Sequence, residues 1–261
     1  VTAADDSLVL LERDAEVAIL TLHNPARRNA FGAPMREVFL RHLLQLEDDT
    51  SCRAIVVTGA GGQFCSGGDL SEMQQRPVLE ARMRMETPGR IAKMLISGPK
   101  PYIVAAEGHV AGAGLSLLAA SDYAVAADNA SLSCSFIKVG LIPDVGGLWS
   151  IPRRVGRRRA MEILGLGEVL NPEKALEIGL INEIAPQGQV LERAVAIARR
   201  FAKTPPVAMA LLRSALSVGA ETLDQALNSE MNLQGVLMST DDFGEASNAF
   251  REKRPPAFKG I

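Results

Sequence analysis

A chain of 261 residues, 47% of them hydrophobic, can bury a substantial core unaided, and a formal net charge of −2 gives no global electrostatic reason to expect nucleic acid or an anionic membrane as partner. Cys52, Cys65 and Cys134 stand far apart with no pair at metal-ligand spacing, which argues against a disulfide framework or a zinc site and fits a reducing cytoplasm. The opening VTAADDS is acidic where a leader would be basic, and no apolar run approaches the roughly 20 residues of a membrane span, so a soluble, cytoplasmic protein is expected.

Residues 8–13 and 17–22 are apolar, β-rich runs around Asp14-Ala15-Glu16 and predict a hairpin. Met35, Val38, Phe39, His42, Leu43 and Leu46 then recur at helical spacing, with Pro34 in the first turn, where its missing N–H costs nothing. Residues 54–58 lack polar alternation and end at Gly59, as in a strand covered on both faces; Tyr102–Ala106 and Tyr123–Ala127 repeat the pattern. The stretch 70–90, with Met73, Met83 and Met85, reads either as an adaptable wall for a substrate tail or as an ordinary amphipathic surface helix, and carries no assigned binding role. Beyond residue 155 helix signals dominate. Asn171-Pro172-Glu173 starts one helix and Gly179 stops it, with a short strand expected at 180–184. Thr204-Pro205 opens another helix, and Ser239 with Asp242 resembles a capping box before a last amphipathic helix bearing Phe243, Ala246 and Phe250 on one face. Residues 200–250 carry no strand signal, so the chain divides into an α/β core at 1–199 and a helical region at 200–261 that packs on the core or on a neighbouring subunit.

Two glycine-rich runs follow strands: GAGGQFCSGGDL at 59–70 and EGHVAGAGLSL at 107–117. Glycine permits positive φ and close backbone approach, and N–H groups at a helix start point outward with partial positive charge, so such turns bind anions or oxyanions. Neither run has the Lys and Ser/Thr of a phosphate-binding P-loop or the spacing of a dinucleotide fingerprint. Taken alone, each is equally compatible with a tight turn of an α/β fold.

The ordered set NPARRNAF at 24–31, GGQFCSGGDL at 61–70, GHVAGAG at 108–114 and VGLIPDVGGLWSIPRRVG at 139–156 resembles the crotonase, or enoyl-CoA hydratase/isomerase, superfamily. NPEKALEIGLINEI at 171–184 and FREKRPPAFKG at 250–260 extend the resemblance over nearly the whole chain. It implies an α/β fold made of a spiral ββα core and C-terminal trimerisation helices, a homotrimer or a hexamer built as a dimer of trimers, and coenzyme A as the substrate's handle, with no prosthetic group and no metal. By the same resemblance the oxyanion donors fall on the N–H groups of Gly68 and Ala113. Ser66, Asp69 and Leu70 fall near adenine and pantetheine, Arg28 near the nucleotide phosphates, and Phe258 and Lys259 near the cofactor of a neighbouring subunit. Arg28 and Lys259 read equally well as solvated surface charges. The chemistry asks for such donors: taking an α-proton from a thioester builds negative charge on its oxygen, and preorganised N–H groups stabilise that charge most in the transition state.

Hydratases of this family use two glutamates, whose positions are occupied here by Ser116 and Phe136. Neither side chain replaces a carboxylate in adding water across a double bond. Asp144, in the turn IPDVGG, matches the aspartate of several isomerase branches, and its segment is most similar to the ring-opening isomerases of phenylacetate breakdown. One carboxylate suffices to shift a double bond, and partial burial would raise its pKa usefully; the competing reading is an Asp capping the next helix. Double-bond isomerisation with Asp144 as acid/base is therefore expected. Hydration by atypical residues, and a dehalogenase-like enzyme with Asp144 as nucleophile, are the enzymatic alternatives, though Phe136 stands where those dehalogenases carry Trp. A non-catalytic acyl-CoA or RNA binder is the alternative of another class, the RNA reading resting on Arg153, Arg154, Arg157, Arg158 and Arg159. Glu107 and Ser116 read as structural, His23, His42 and His109 form no triad pattern, and Trp149 is expected to pack.

Overall fold

A computed structural model describes residues 6–261, so the start of the acidic opening stretch, residues 1–5, lies outside the described residues. β1 (Val9–Asp14) and β2 (Val17–Leu22) form the expected antiparallel hairpin, turning at Ala15 with φ 51°. α1 (Ala33–Asp48) buries Met35, Val38, Phe39, Leu40, Leu43 and Leu46. β3 (Ala54–Gly59) lies parallel to β2. After α2 (Val78–Met83) and α3 (Glu86–Ser97) come β4 (Tyr102–Ala106), β5 (His109–Ala111), α4 (Ala113–Ala120), β6 (Tyr123–Ala127) and β7 (Ser131–Ser133). α5 (Gly147–Leu166), kinked at Gly156, leads to β8 (Val169–Leu170), α6 (Pro172–Glu177) and β9 (Glu183–Ala185). Four helices close the chain: α7 (Val190–Ala202), α8 (Pro206–Val218), α9 (Leu223–Leu237) and α10 (Asp241–Glu252).

The larger sheet has the order β1-β2-β3-β4-β6-β9 and is parallel throughout except for the opening hairpin. Its inner strands β2, β3, β4 and β6 read as near-continuous apolar runs because both faces are covered. Ala54, Val56, Ile103, Ala105, Val125 and Ala127 meet α7 through Val190, Ala194, Ile197 and Ala198. Ile55, Val57, Val104 and Ala106 point the other way, into a core shared with α1, α3 and α4. The boundary expected between residues 199 and 200 falls inside α7, which packs on the sheet. The second, three-stranded sheet, β5-β7-β8, stands beside the first and carries the second glycine run. Among the described residues no helix is long and apolar enough to cross a membrane.

Several local expectations are corrected. The strand expected at 180–184 is displaced to β9, because the N–H groups of Leu180 and Ile181 turn back to Ala175 O at the exit of α6 and their side chains drop into the core. α10 is capped by Thr240, whose Oγ1 accepts from Phe243 N, and not by Ser239. Asp242 is buried and accepts instead from the N–H groups of Lys259 and Gly260. A reciprocal capping box does occur, at Thr222 and Gln225 ahead of α9. Trp149 is not packed inside: it is part-exposed, with the Arg153 guanidinium stacked on its ring. Phe243 and Phe250 on α10 are exposed as well, so among the described residues nothing covers these two rings of the helix's apolar face.

Candidate active site

The two glycine runs meet at the carboxyl ends of the parallel strands, where open α/β sheets form their sites. Beyond β3 the chain turns through Gly61 and Gly62, both at positive φ, and then runs parallel to β5. Phe64 N donates to Glu107 O, Cys65 N to His109 O and Ala111 N to Cys65 O, zipping one glycine run to the other. The approach is close enough to require glycine. A Cβ on Gly114 would lie 2.7 Å from Cys65 O, and one on Gly67, at φ +102°, would lie 3.2 Å from Ala111 O. Gly68 follows the first of these turns, and Ala113 opens α4 directly after Gly112, whose φ is 51°. Among the described residues the N–H groups of Gly68 and Ala113 meet no acceptor, and at a helix start such a group carries partial positive charge.

A cleft of about 1140 Å³ opens at this junction. Gly68, Gly112, Phe31, Phe136 and Asp144 line it together with Arg27, Arg28, Arg36, Arg76, Arg84 and Lys138. Those six cations outnumber its three carboxylates, Asp69, Glu72 and Asp144, so a cleft in a slightly acidic protein is locally suited to an anion. The stretch 70–90 is not one helix. A 3-10 turn at Leu70–Glu72 precedes α2, and Leu70, Met73, Ala81 and Met85 supply an apolar wall. Glu72 accepts from Ala33 N at the start of α1 and from Arg84, which fastens this wall to the first helix. Asp69 accepts from Ser71 N, Ser71 Oγ and Arg27, and the Ser71 and Arg27 bonds hold its carboxyl below the ordinary range.

Asp144 sits in the turn between the 3-10 helix Ser135–Val139 and α5, followed by Val145 and Gly146 at positive φ. Its side chain is 15% exposed; Oδ2 accepts from Arg36 at 3.0 Å, and Oδ1 is buried with no partner. Burial pushes the Asp144 carboxyl above its usual value, and the Arg36 guanidinium pulls the other way. The N-cap of α5 is Gly146 and no side chain caps it, so Asp144 does not serve that helix as a cap. Phe136 lies against Gly112, while Ser116 is fully buried in α4 with its Oγ unpaired. Burial raises the Cys65 and Cys134 thiols to about 11, which leaves both protonated at neutral pH.

The other named residues divide. Ser66, Asp69, Leu70 and Arg28 line the cleft. Phe258 and Lys259 do not: Phe258 O accepts from Arg53 beside the start of β3, and Lys259 N goes to Asp242, at the opposite end of the strand from the glycine turns. Glu107 accepts from Gly188 N, His23 pairs with Ser7 O, His42 lies 3.2 Å from Val9 O, and His109 pairs with Gln63, so each is held by backbone or by an amide. Arg154 donates to Ala119 O and Ser121 O, and Arg159 to Glu162, which removes both from any free basic surface. Among the described residues no three His, Cys, Asp or Glu side chains cluster at metal-binding distance. The sequence reading missed Arg36. The stripe it shares at i, i+4, i+7 with the buried Leu40 and Leu43 marks it as facing inward but does not name its partner.

Residues 12–261 match the family described as enoyl-CoA hydratase/isomerase. The chain is 36% identical over 261 residues to the 1,2-epoxyphenylacetyl-CoA isomerase of Escherichia coli strain K12, an alignment covering 97% of this chain and 98% of that one. It is 37% identical over 246 residues to a protein of Rhodobacter capsulatus named probable enoyl-CoA hydratase, covering 94% and 95%. The crystal structure of an enoyl-CoA hydratase from Polaromonas sp. JS666 superposes with a TM-score of 0.90 at 34% identity, covering 96% of this chain and 99% of that one.

Proposed function

The chain belongs to the enoyl-CoA hydratase/isomerase family, and from that premise we propose that it moves a carbon–carbon double bond along the acyl group of a coenzyme A thioester. In this reading the N–H groups of Gly68 and Ala113 hold the thioester oxygen and Asp144 carries the proton. With a 3-enoyl thioester, the Asp144 carboxylate takes a proton from C2 and the electron pair delocalises onto the thioester oxygen and C4. The protonated Asp144 then returns the proton to C4, leaving a 2-enoyl thioester. The negative charge exists only in the intermediate and the transition states around it, where two preorganised donors stabilise most; losing one such donor typically costs about 3 to 4 kcal/mol of barrier.

The observation that carries this reading is Asp144 itself, a mostly buried carboxylate on the cleft with one oxygen held by Arg36 and the other unpaired. A group that must first accept and then donate a proton benefits from a raised pKa, and burial supplies that shift. Hydration asks for a second protic group to activate water. Ser116 and Phe136, one sealed inside α4 and the other apolar, argue against it. The cationic lining offers partners to the phosphates of coenzyme A, Arg28 among them, with Ser66, Asp69 and Leu70 beside the nucleotide and pantetheine. We extend the proposal to assembly. The exposed apolar residues of α8, α9 and α10 support a trimer or a dimer of trimers, and Phe258 and Lys259, remote from their own cleft, would contact coenzyme A only across such an interface.

The test is a screen of 2-enoyl, 3-enoyl and ring-derived thioesters for both hydration and isomerisation, followed by Asp144→Ala. The expected outcome is isomerisation without hydration, lowered by about 10²-fold or more in the variant while coenzyme A still binds. Unchanged isomerisation in Asp144→Ala removes the assigned role, and hydration at a comparable rate in the wild type removes the reaction.

A further inference from the structure

We propose that Arg36 is the positioning residue of Asp144, fixing the orientation of its carboxylate through Oδ2 and tying it mechanically to the turn that presents Gly68. The proposal rests on the reading of Asp144 as proton carrier and adds a residue that neither the spacing of the motifs nor the family comparison assigns.

Arg36 projects from the first turns of α1, and its side chain is 12% exposed. Nε donates to Phe31 O at 2.7 Å, a second guanidinium nitrogen donates to Asp144 Oδ2 at 3.0 Å, and the guanidinium carbon lies 5.6 Å from the centre of the Phe31 ring. Phe31 is fully buried, and its own N–H donates to Gly67 O at 2.7 Å. One continuous path therefore runs from the peptide preceding Gly68, through the Phe31 backbone and the Arg36 guanidinium, to the carboxylate. The planar fork of arginine serves two acceptors in fixed directions at once; a lysine ammonium, with its donors radiating from one atom, cannot reproduce that arrangement. Oδ1 is buried without a partner, so Arg36 is the side chain that fixes the orientation of the Asp144 carboxylate.

The same contact has an electrostatic side. Arg36 from α1 is the ionisable group that acts on Asp144, while the Asp144 charge bears in turn on the Cys65 thiol of the first glycine run and the Cys134 thiol before the 3-10 helix; Lys138 lines the same cleft. Both thiols are raised to about 11 and stay neutral at neutral pH, so Arg36 is the charge that offsets burial at Asp144. Removing it leaves burial opposed only by a backbone hydrogen bond to the carboxyl. The folded-state pKa of Asp144 then rises, and the base form is available only at higher pH.

The experiment compares wild type, Asp144→Asn, Arg36→Lys and Arg36→Gln, using 3-hexenoyl-CoA as the isomerisation probe and coenzyme A itself as the binding probe. For Arg36→Gln, the acid limb of kcat/KM is expected to move up by about one pH unit or more. Arg36→Lys should keep the acid limb near that of wild type but lose about tenfold or more in kcat with little change in KM, because charge survives and aim does not. Independently of turnover, an infrared difference titration referenced to Asp144→Asn reads the carboxyl midpoint directly, and it should rise in Arg36→Gln. A wild-type kcat in Arg36→Lys overturns the positioning role, including where Arg36→Gln does not fold; an unmoved midpoint in a folded Arg36→Gln overturns the electrostatic one. Full activity in Asp144→Asn sinks the underlying assignment instead. The two failures are thus separable, since an inactive Asp144→Asn beside wild-type Arg36 variants defeats only the present inference.

Discussion

Asp144 is asked to be ionised and dry at once. Its carboxyl is raised in the fold, so between the ordinary carboxylate range and its own folded pKa the unfolded chain has released a proton that the native state still holds. The Asp144 contribution to stability is therefore most favourable below pH 4 and declines as pH rises through that window. Comparing thermal midpoints of wild type and Asp144→Asn from pH 3 to pH 8 should show the wild type losing ground relative to the variant with rising pH; a difference independent of pH would contradict the shift. The cysteines give a second residue-scale prediction. All three are buried, and two are raised to about 11, so a thiol reagent at pH 8 should leave the native protein unlabelled and modify three groups in denaturant. The place of Asp144 on the cleft was legible in the sequence because it sits in a short, recognisable turn. Arg36 was not, because its ion pair joins residues 108 positions apart and no local pattern records such a pairing.

Helices and strands were legible where burial imposes one period. The apolar stripe of α1 and the unbroken runs of β3, β4 and β6 appear in the chain as they appear in the fold, since a helix buries one face and a doubly covered strand buries two. β9 was misplaced because Leu180 and Ile181 are as apolar as a strand but spend that character on leaving α6. The cap of α10 turned on which of two adjacent hydroxyls, Ser239 or Thr240, faces the helix, which depends on backbone direction and not on composition. The most demanding element is α4, pressed against the first glycine run at Gly114. Gly114→Ala would bring a methyl 2.7 Å from Cys65 O and 2.8 Å from Cys65 Cβ, both in the interior. Denaturant unfolding should register a loss of about 1 to 3 kcal/mol. Because the displaced segment leads to Gly68 and the displacing helix begins at Ala113, turnover of an acyl-CoA substrate should fall further than stability predicts.

At the scale of the molecule the last three helices present two different faces. Arg213, 4% exposed, fastens α8 to the body by donating to Asp122, Gly98 O and Leu95 O. Outward from it Leu212, Leu216, Leu223, Met231 and Phe250 are exposed, a set of large apolar side chains suited to an interface. Light scattering should accordingly give a mass three or six times the 27.8 kDa of one chain, and Leu216→Glu should lower it. A monomeric wild type would defeat this prediction. The larger sheet carries a consequence of another kind. Its strand order, β1-β2-β3-β4-β6-β9, never doubles back, so each strand emerging from the ribosome is laid on the edge its predecessor left open. Partners arrive in the sequence in which they are needed, and the growing front is always one strand wide. The longest pause comes after β6, whose edge waits while residues 128–182 are made, about 3 to 11 s at ordinary rates of synthesis, before β9 seals it. That interval is when the nascent chain is most open to capture by a foreign strand.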